Sequence, residues 1–232
     1  MKKKITKYLS TDLKQSLIND VLDVAYYHAH PSRKKEAGFF SVPRDVFCYL
    51  DYLGQIAFGN GNTESAEDFI KTYFPKTYRD YAELIYSMWR HGTVHEYKPK
   101  TFFAEYPNNT PKRIKVAWRS NNDRSKKARK EHLKFYQMDG KRNTLFLTVN
   151  TCQLVEDLMV AIDAFVDALK IDSQLRTECQ KRLTEAAKEK DYRSIKRKQS
   201  KNAVYKQILQ AWKSKESVKL GLNGEVHSND LP

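Results

Sequence analysis

Over most of this chain apolar residues recur every three or four positions, and the repeat drops to two only in one central stretch. That change of period limits the fold to helices packed around a core, interrupted once by strands. From Ser10 to His28, Leu13, Leu17, Ile18, Val21, Leu22 and Ala25 keep helical spacing, with Ser10 or Thr11 able to cap the free N–H groups. Pro31 stops this element. Pro43 suits the first turn of a second helix that buries Val46, Phe47, Leu50, Leu53 and Ile56. Gly59-Asn60-Gly61-Asn62 ends it; without a Lys-Ser/Thr pair, and following a helix, this is a turn rather than a phosphate loop. Thr63 opens a short helix carrying Ala66, Phe69, Ile70 and Tyr73. Beyond Pro75, Tyr78, Tyr81, Leu84, Ile85 and Met88 form the stripe of a fourth helix, which ends near Gly92 or runs on to Tyr97.

Ile114, Val116 and Trp118 then alternate with Lys115, Ala117 and Arg119, as a strand requires. His132–Met138 and Thr144–Val149 read as two more strands, with Asp139-Gly140 as the hairpin turn. Helical period returns at Cys152, where Leu154, Leu158, Ile162, Phe165 and Leu169 share a face and Glu156, Asp163 and Asp167 lie opposite as a solvated stripe. Helices are further expected over roughly 172–190 and 194–213, and disorder over 214–232. The expected architecture is mainly α (α+β): five or six helices from 1–98 and 150–213 form a bundle. A small antiparallel sheet, a β-meander with a basic loop, is inserted at 99–149.

The chain has 232 residues, with 42 Lys and Arg against 28 Asp and Glu, a formal charge of +14. Such an excess attracts polyanions, and release of counterions from a nucleic acid would drive association. No apolar run approaches the roughly 18 residues that span a bilayer, and no apolar segment follows the basic start, so neither membrane insertion nor secretion is expected. Cys48, Cys152 and Cys179 lie too far apart for a metal knuckle and read as reduced thiols in a cytoplasmic protein.

The stretch Ser87-Met88-Trp89-Arg90-His91-Gly92-Thr93-Val94-His95-Glu96-Tyr97 gathers cations and imidazoles at the polar end of an apolar helix. Two chemistries compete for it. A guanidinium and an imidazole without a carboxylate cluster suit cleavage of a phosphodiester by its own neighbouring 2′-hydroxyl: the imidazole moves the proton and the guanidinium steadies the crowded phosphorus centre. This chemistry needs RNA and no metal. Alternatively His91 and His95, four apart on a continued helix, would be two metal ligands, and His28, His30, Cys48 or Glu96 would have to supply a third. From Lys112 to Lys130, nine Lys or Arg stand against Asp123 alone: Lys112, Arg113, Lys115, Arg119, Arg124, Lys126, Lys127, Arg129 and Lys130. With Trp118 among them, this stretch reads either as an RNA track, cations on phosphates and a ring on a base, or as a solvated loop. Lys181 to Lys206 is a second basic block.

The Arg-polar-x3-His-x-Tyr pattern of Arg90, His91, His95 and Tyr97 resembles the signature of the HEPN superfamily (higher eukaryotes and prokaryotes nucleotide-binding domain). The resemblance implies a helical bundle and a metal-independent endoribonuclease without cofactor, its active site formed across a homodimer, in a bacterial toxin or antiphage defence component. It further implies Arg90 and His95 as catalytic residues and His91 as an auxiliary polar group. Tyr97 would be a substrate contact or a modification site, and an antitoxin or nucleotidyltransferase a partner. The alternative is a noncatalytic basic module that holds nucleic acid or docks a partner protein.

Overall fold

The computed structural model describes residues 4–28, 40–59, 63–93, 98–105, 113–121, 124–137 and 143–187. Its first helical run follows from an uncommon spacing. Ile5, Leu9, Leu13, Leu17, Val21 and Ala25 stand every four residues, and all are buried. At about 100° per residue, an α-helix would swing this row by about 40° at each step and about 200° over the whole run, carrying one end out of the core. Wider turns correct the drift. The π-helical stretches Tyr8–Leu13 and Ile18–Leu22 alternate with α-helical Ile5–Lys7, Lys14–Leu17 and Asp23–His28, and together they make α1.

Helices α2 (Ser41–Phe58) and α3 (Thr63–Tyr73) pack backbone to backbone. Gly54 permits this, because a Cβ there would lie 2.6 Å from the Ser65 carbonyl oxygen. At the end of α2, Gly59 adopts φ 90°, a left-handed cap that favours glycine, and its N–H bonds to the Gln55 oxygen at 2.9 Å. The fourth helical run, α4, passes from a 3-10 turn (Lys76–Tyr81) through α-helix (Ala82–Ile85) into a π-helical turn (Tyr86–His91). Three more helices follow: α5 (Lys126–Lys130), α6 (Thr151–Ile171) and α7 (Ser173–Ala186). Their N-termini are capped by side chains, with Asn150 accepting from the Gln153 N–H at 2.9 Å and Asp172 from the Gln174 and Leu175 N–H groups at 2.9 Å. From α7, Arg182 reaches back to donate to the orphan carbonyls of Ile56 at 3.2 Å and Ala57 at 2.6 Å at the end of α2. The expected 194–213 helix and the 214–232 tail lie outside the described residues.

Four strands form one sheet in the order β1-β2-β4-β3: β1 (Phe102–Glu105), β2 (Arg113–Asn121), β3 (Phe135–Gln137) and β4 (Thr144–Asn150). The antiparallel meander expected from the sequence is corrected here. β1–β2 and β3–β4 are antiparallel, but β2 and β4 run parallel. Period-two alternation marks a strand with one buried face and says nothing about its neighbour. The chain between Asn121 and Thr144, which includes α5, is long enough for a crossover, so β4 returns beside β2 while β3 takes the edge. β1 was not expected, and β3 is shorter than the strand expected over His132–Met138, with His132 and Leu133 in a turn. Leu133 has φ 57°, a left-handed conformation costly for a leucine, held by its buried side chain and an N–H bond to Thr148 O at 2.8 Å. The inner face of the sheet adds Val116, Leu147 and Val149 to the helical core.

Candidate functional site

The π-helical turn at the end of α4 carries Arg90 and His91. Such turns open the backbone ladder and recur at functional sites. Immediately beyond, Gly92 is a contact point, because a Cβ there would sit 2.4 Å from the Lys98 carbonyl oxygen. A continued helix would carry Lys98 about 9 Å further along the axis. The chain has therefore turned back by Lys98, and the Lys100 N–H closes onto Met88 O at 2.8 Å. The helix continues through Gly92 and Thr93, and its end lies outside the described residues. His95 and Tyr97 lie outside the described residues.

Arg90 is fixed from α2. Its Nε donates to Oδ2 of Asp51 at 2.5 Å, and the Tyr86 hydroxyl donates to Oδ1 of the same carboxylate at 2.6 Å. Burial opposes the Arg90 charge, but the hydrogen bond and charge of Asp51 outweigh it and raise the pKa. Among the described residues, Nη1 of Arg90 and Nε1 of Trp89 are the buried side-chain donors without an acceptor. Trp89 is sealed in the core, whereas the Arg90 side chain retains 22% of its exposure. His91 packs its ring edge against Tyr86, centroids 5.7 Å apart. Cys48 is exposed near the guanidinium, and partial desolvation raises its thiol pKa against the opposing charge of Arg90. Among the described residues no group of three His, Cys, Asp or Glu side chains is placed to hold a metal ion.

No family model, curated protein or solved structure matches the chain.

The basic stretch separates into two populations. Arg129 and Arg124 serve the fold. Arg129 forms a two-nitrogen fork on Glu156, with Nη2 to Oε1 at 2.8 Å, and also reaches Gln153 at 3.0 Å; the Tyr26 hydroxyl adds a bond to Glu156 at 2.6 Å. Arg124 lies 3.8 Å over the Tyr26 ring. Burial would raise the Glu156 pKa, but the Arg129 and Tyr26 hydrogen bonds and the nearby guanidinium charges bring it below the usual value. Of the expected solvated row, Asp163 and Asp167 are exposed, pairing at the surface with Lys14 at 2.8 Å and Lys170 at 2.8 Å, whereas Glu156 is drawn into the fold. Lys115, Arg119, Lys126, Lys127 and Lys130, by contrast, have no ion pair among the described residues. Trp118 is partly buried and packs against the core, its ring turned onto Trp89 at 5.4 Å and Phe40 at 5.3 Å, on the face opposite Lys115 and Arg119. Lys112 and the Arg113 side chain lie outside the described residues.

Two constellations had no signature in the sequence. Asp51 flanks the apolar stripe of α2, and nothing in its spacing links it to Arg90, 39 residues away. The other is a buried relay. The Asn150 N–H donates to Nδ1 of His132 at 2.9 Å, which places the proton of the neutral ring on Nε2. Nε2 therefore donates to the Tyr78 hydroxyl at 2.6 Å, and Tyr78 donates to Asp157 at 2.7 Å. Burial lowers the His132 pKa to about 4. With both ring nitrogens engaged inside the protein, this relay is structural.

Proposed function

We propose that the chain is an RNA-acting protein, a metal-independent endoribonuclease of HEPN type that works with a second copy of itself. The observation that carries this reading is the Arg90 guanidinium. It is locked through Nε by Asp51, retains a buried Nη1 donor without an acceptor, and stands on a widened helical turn just ahead of the segment bearing His95. A pre-positioned donor without an acceptor suits a phosphate oxygen better than solvent. In the reaction His95 takes the proton of the 2′-hydroxyl or supplies one to the leaving oxygen. That hydroxyl oxygen bonds to phosphorus as the P–O5′ bond breaks, leaving 2′,3′-cyclic phosphate and 5′-hydroxyl ends. Arg90 steadies the non-bridging oxygens.

The test is digestion of RNA in EDTA by wild type, Arg90→Ala and His95→Ala. Cyclic-phosphate products from wild type that fall at least a hundredfold in both variants are expected on general acid–base grounds, roughly the size of such terms. Equal cleavage by all three proteins, or no cleavage by folded wild type, would refute the reading. The Asp51 carboxylate, which already balances the Arg90 charge, favours a second reading as a noncatalytic nucleic-acid-binding module. In that case RNA binding survives Arg90→Ala and no cleavage is found.

A further inference from the structure

The outer face of the sheet carries a group of rings and cations. Strand register sets Phe103 across from Lys115, Ala117 across from Phe146, and Phe146 across from Tyr136, all on the face opposite Trp118. Phe103 is 61% exposed. Tyr136 and Phe146 are half-buried and stack on each other, centroids 5.6 Å apart and planes 30° from parallel. Arg119 holds its guanidinium 5.0 Å from the centre of the Tyr136 ring. Lys115 and Arg119 are exposed, and neither has a carboxylate partner among the described residues. A solvent-facing sheet surface is ordinarily polar, so rings interleaved with cations that have no carboxylate partner among the described residues ask for a ligand that is both flat and anionic.

We infer that this face binds single-stranded nucleic acid. Bases stack on Phe103 and on the Tyr136–Phe146 pair, while Lys115 and Arg119 hold the intervening phosphates. Neighbouring strands are about 4.8 Å apart, and Phe103 is level with Lys115 while Phe146 is level with Ala117 two residues further along β2, so the two rings lie about 12 Å apart on the diagonal. Each base offers a flat π surface to a ring regardless of sequence, whereas a duplex keeps its bases stacked on one another and out of reach. The chain's charge of +14 supplies the long-range attraction. The inference deepens the proposed RNA-acting function by naming the form of the substrate, and it rests on that function only for the preference for RNA over DNA.

The experiment is fluorescence anisotropy with a labelled single-stranded RNA oligomer, its DNA counterpart and the matching RNA duplex. The full-length chain carries Arg90→Ala throughout, so that nothing is cut. Adding Phe103→Ala is expected to weaken single-strand binding roughly five- to a hundredfold, the usual worth of one stacked base, with the salt dependence unchanged. Phe103 is exposed, so the fold should hold, which a thermal melt checks; Tyr136→Ala serves as the second stacking variant. Lys115→Gln with Arg119→Gln should instead flatten the plot of log affinity against log salt by about 1.4, two phosphates at about 0.7 each. Duplex bound as tightly as single strand, or unchanged affinity in Phe103→Ala, would overturn the platform. Equal binding of DNA and RNA would keep the platform and remove the RNA preference. Wild type that binds the single strand tightly but does not cut it would strike only the nuclease reading, and wild type that cuts RNA while Phe103→Ala keeps its affinity would strike only the platform.

Discussion

Acidification should unlock the junction of sheet and helix through His132. In the folded protein its Nδ1 accepts the Asn150 N–H, and Asn150 in turn caps α6. A proton added at Nδ1 would set two donors against each other, and burial disfavours the charge as well. The folded pKa is about 4, against 6.5 for the free side chain. Between those values the unfolded chain binds the proton that the native ring refuses, so stability is intact above about pH 6.5 and falls as the pH drops toward 4. The slope approaches 1.36 kcal/mol per pH unit, and the full window amounts to about 3 kcal/mol. Asp157, whose carboxyl is raised by burial against the hydrogen bonds of Tyr78 and Gln153, works the other way below its folded pKa and shallows the lower end of the curve. The assay is urea denaturation from pH 4.5 to 8 for wild type and His132→Gln, in which the other five of the six histidines contribute alike. Wild type should lose stability on acidification more steeply than the variant. Parallel curves would refute the reasoning.

Other expectations rest on separate contacts. Gly92→Ala should cost roughly 1–3 kcal/mol in urea melts, since its Cβ has nowhere to go beside Lys98, and a neutral result would mean the crossing is loose. Gly54→Ala should destabilise by a similar amount through the α2–α3 contact. Arg129→Ala should lower stability by about 1 kcal/mol by stripping Glu156 of its fork, yet leave the affinity for single-stranded RNA nearly unchanged, whereas Lys115→Gln does the reverse. Asp51→Asn should keep the Tyr86 bond but loosen Arg90, reducing RNA cleavage without abolishing it; cleavage equal to wild type would show that the clamp is not set by Asp51.

The helices at 63–73, 41–58 and 151–171 were legible because their apolar residues keep helical spacing beside recognisable punctuation such as Gly59. The strand at 113–121 was legible from alternation, but its parallel partner was not, because pairing is decided by the route of the connection. Trp118 illustrates the same gap. Set among cations it looked like a ligand ring, yet alternation had already placed it on the same side as Val116, which is buried. The rings that do face outward with Lys115 and Arg119 come from three other strands, a juxtaposition that one strand's sequence does not contain. Asp51 and His132 act through partners 39 and 54 residues away, distances over which no local pattern speaks.

The every-fourth-residue row of α1 has a consequence for how that segment gains its shape. Widened turns lack the hydrogen-bond economy that lets an isolated peptide wind on its own, so residues 5–28 excised from the protein would relax to ordinary helix or to coil. The neighbours impose the pitch. Replacing the segment with an idealised helix of equal length and greater intrinsic helicity would consequently weaken the molecule, its improved local preference working against the wall it has to fit.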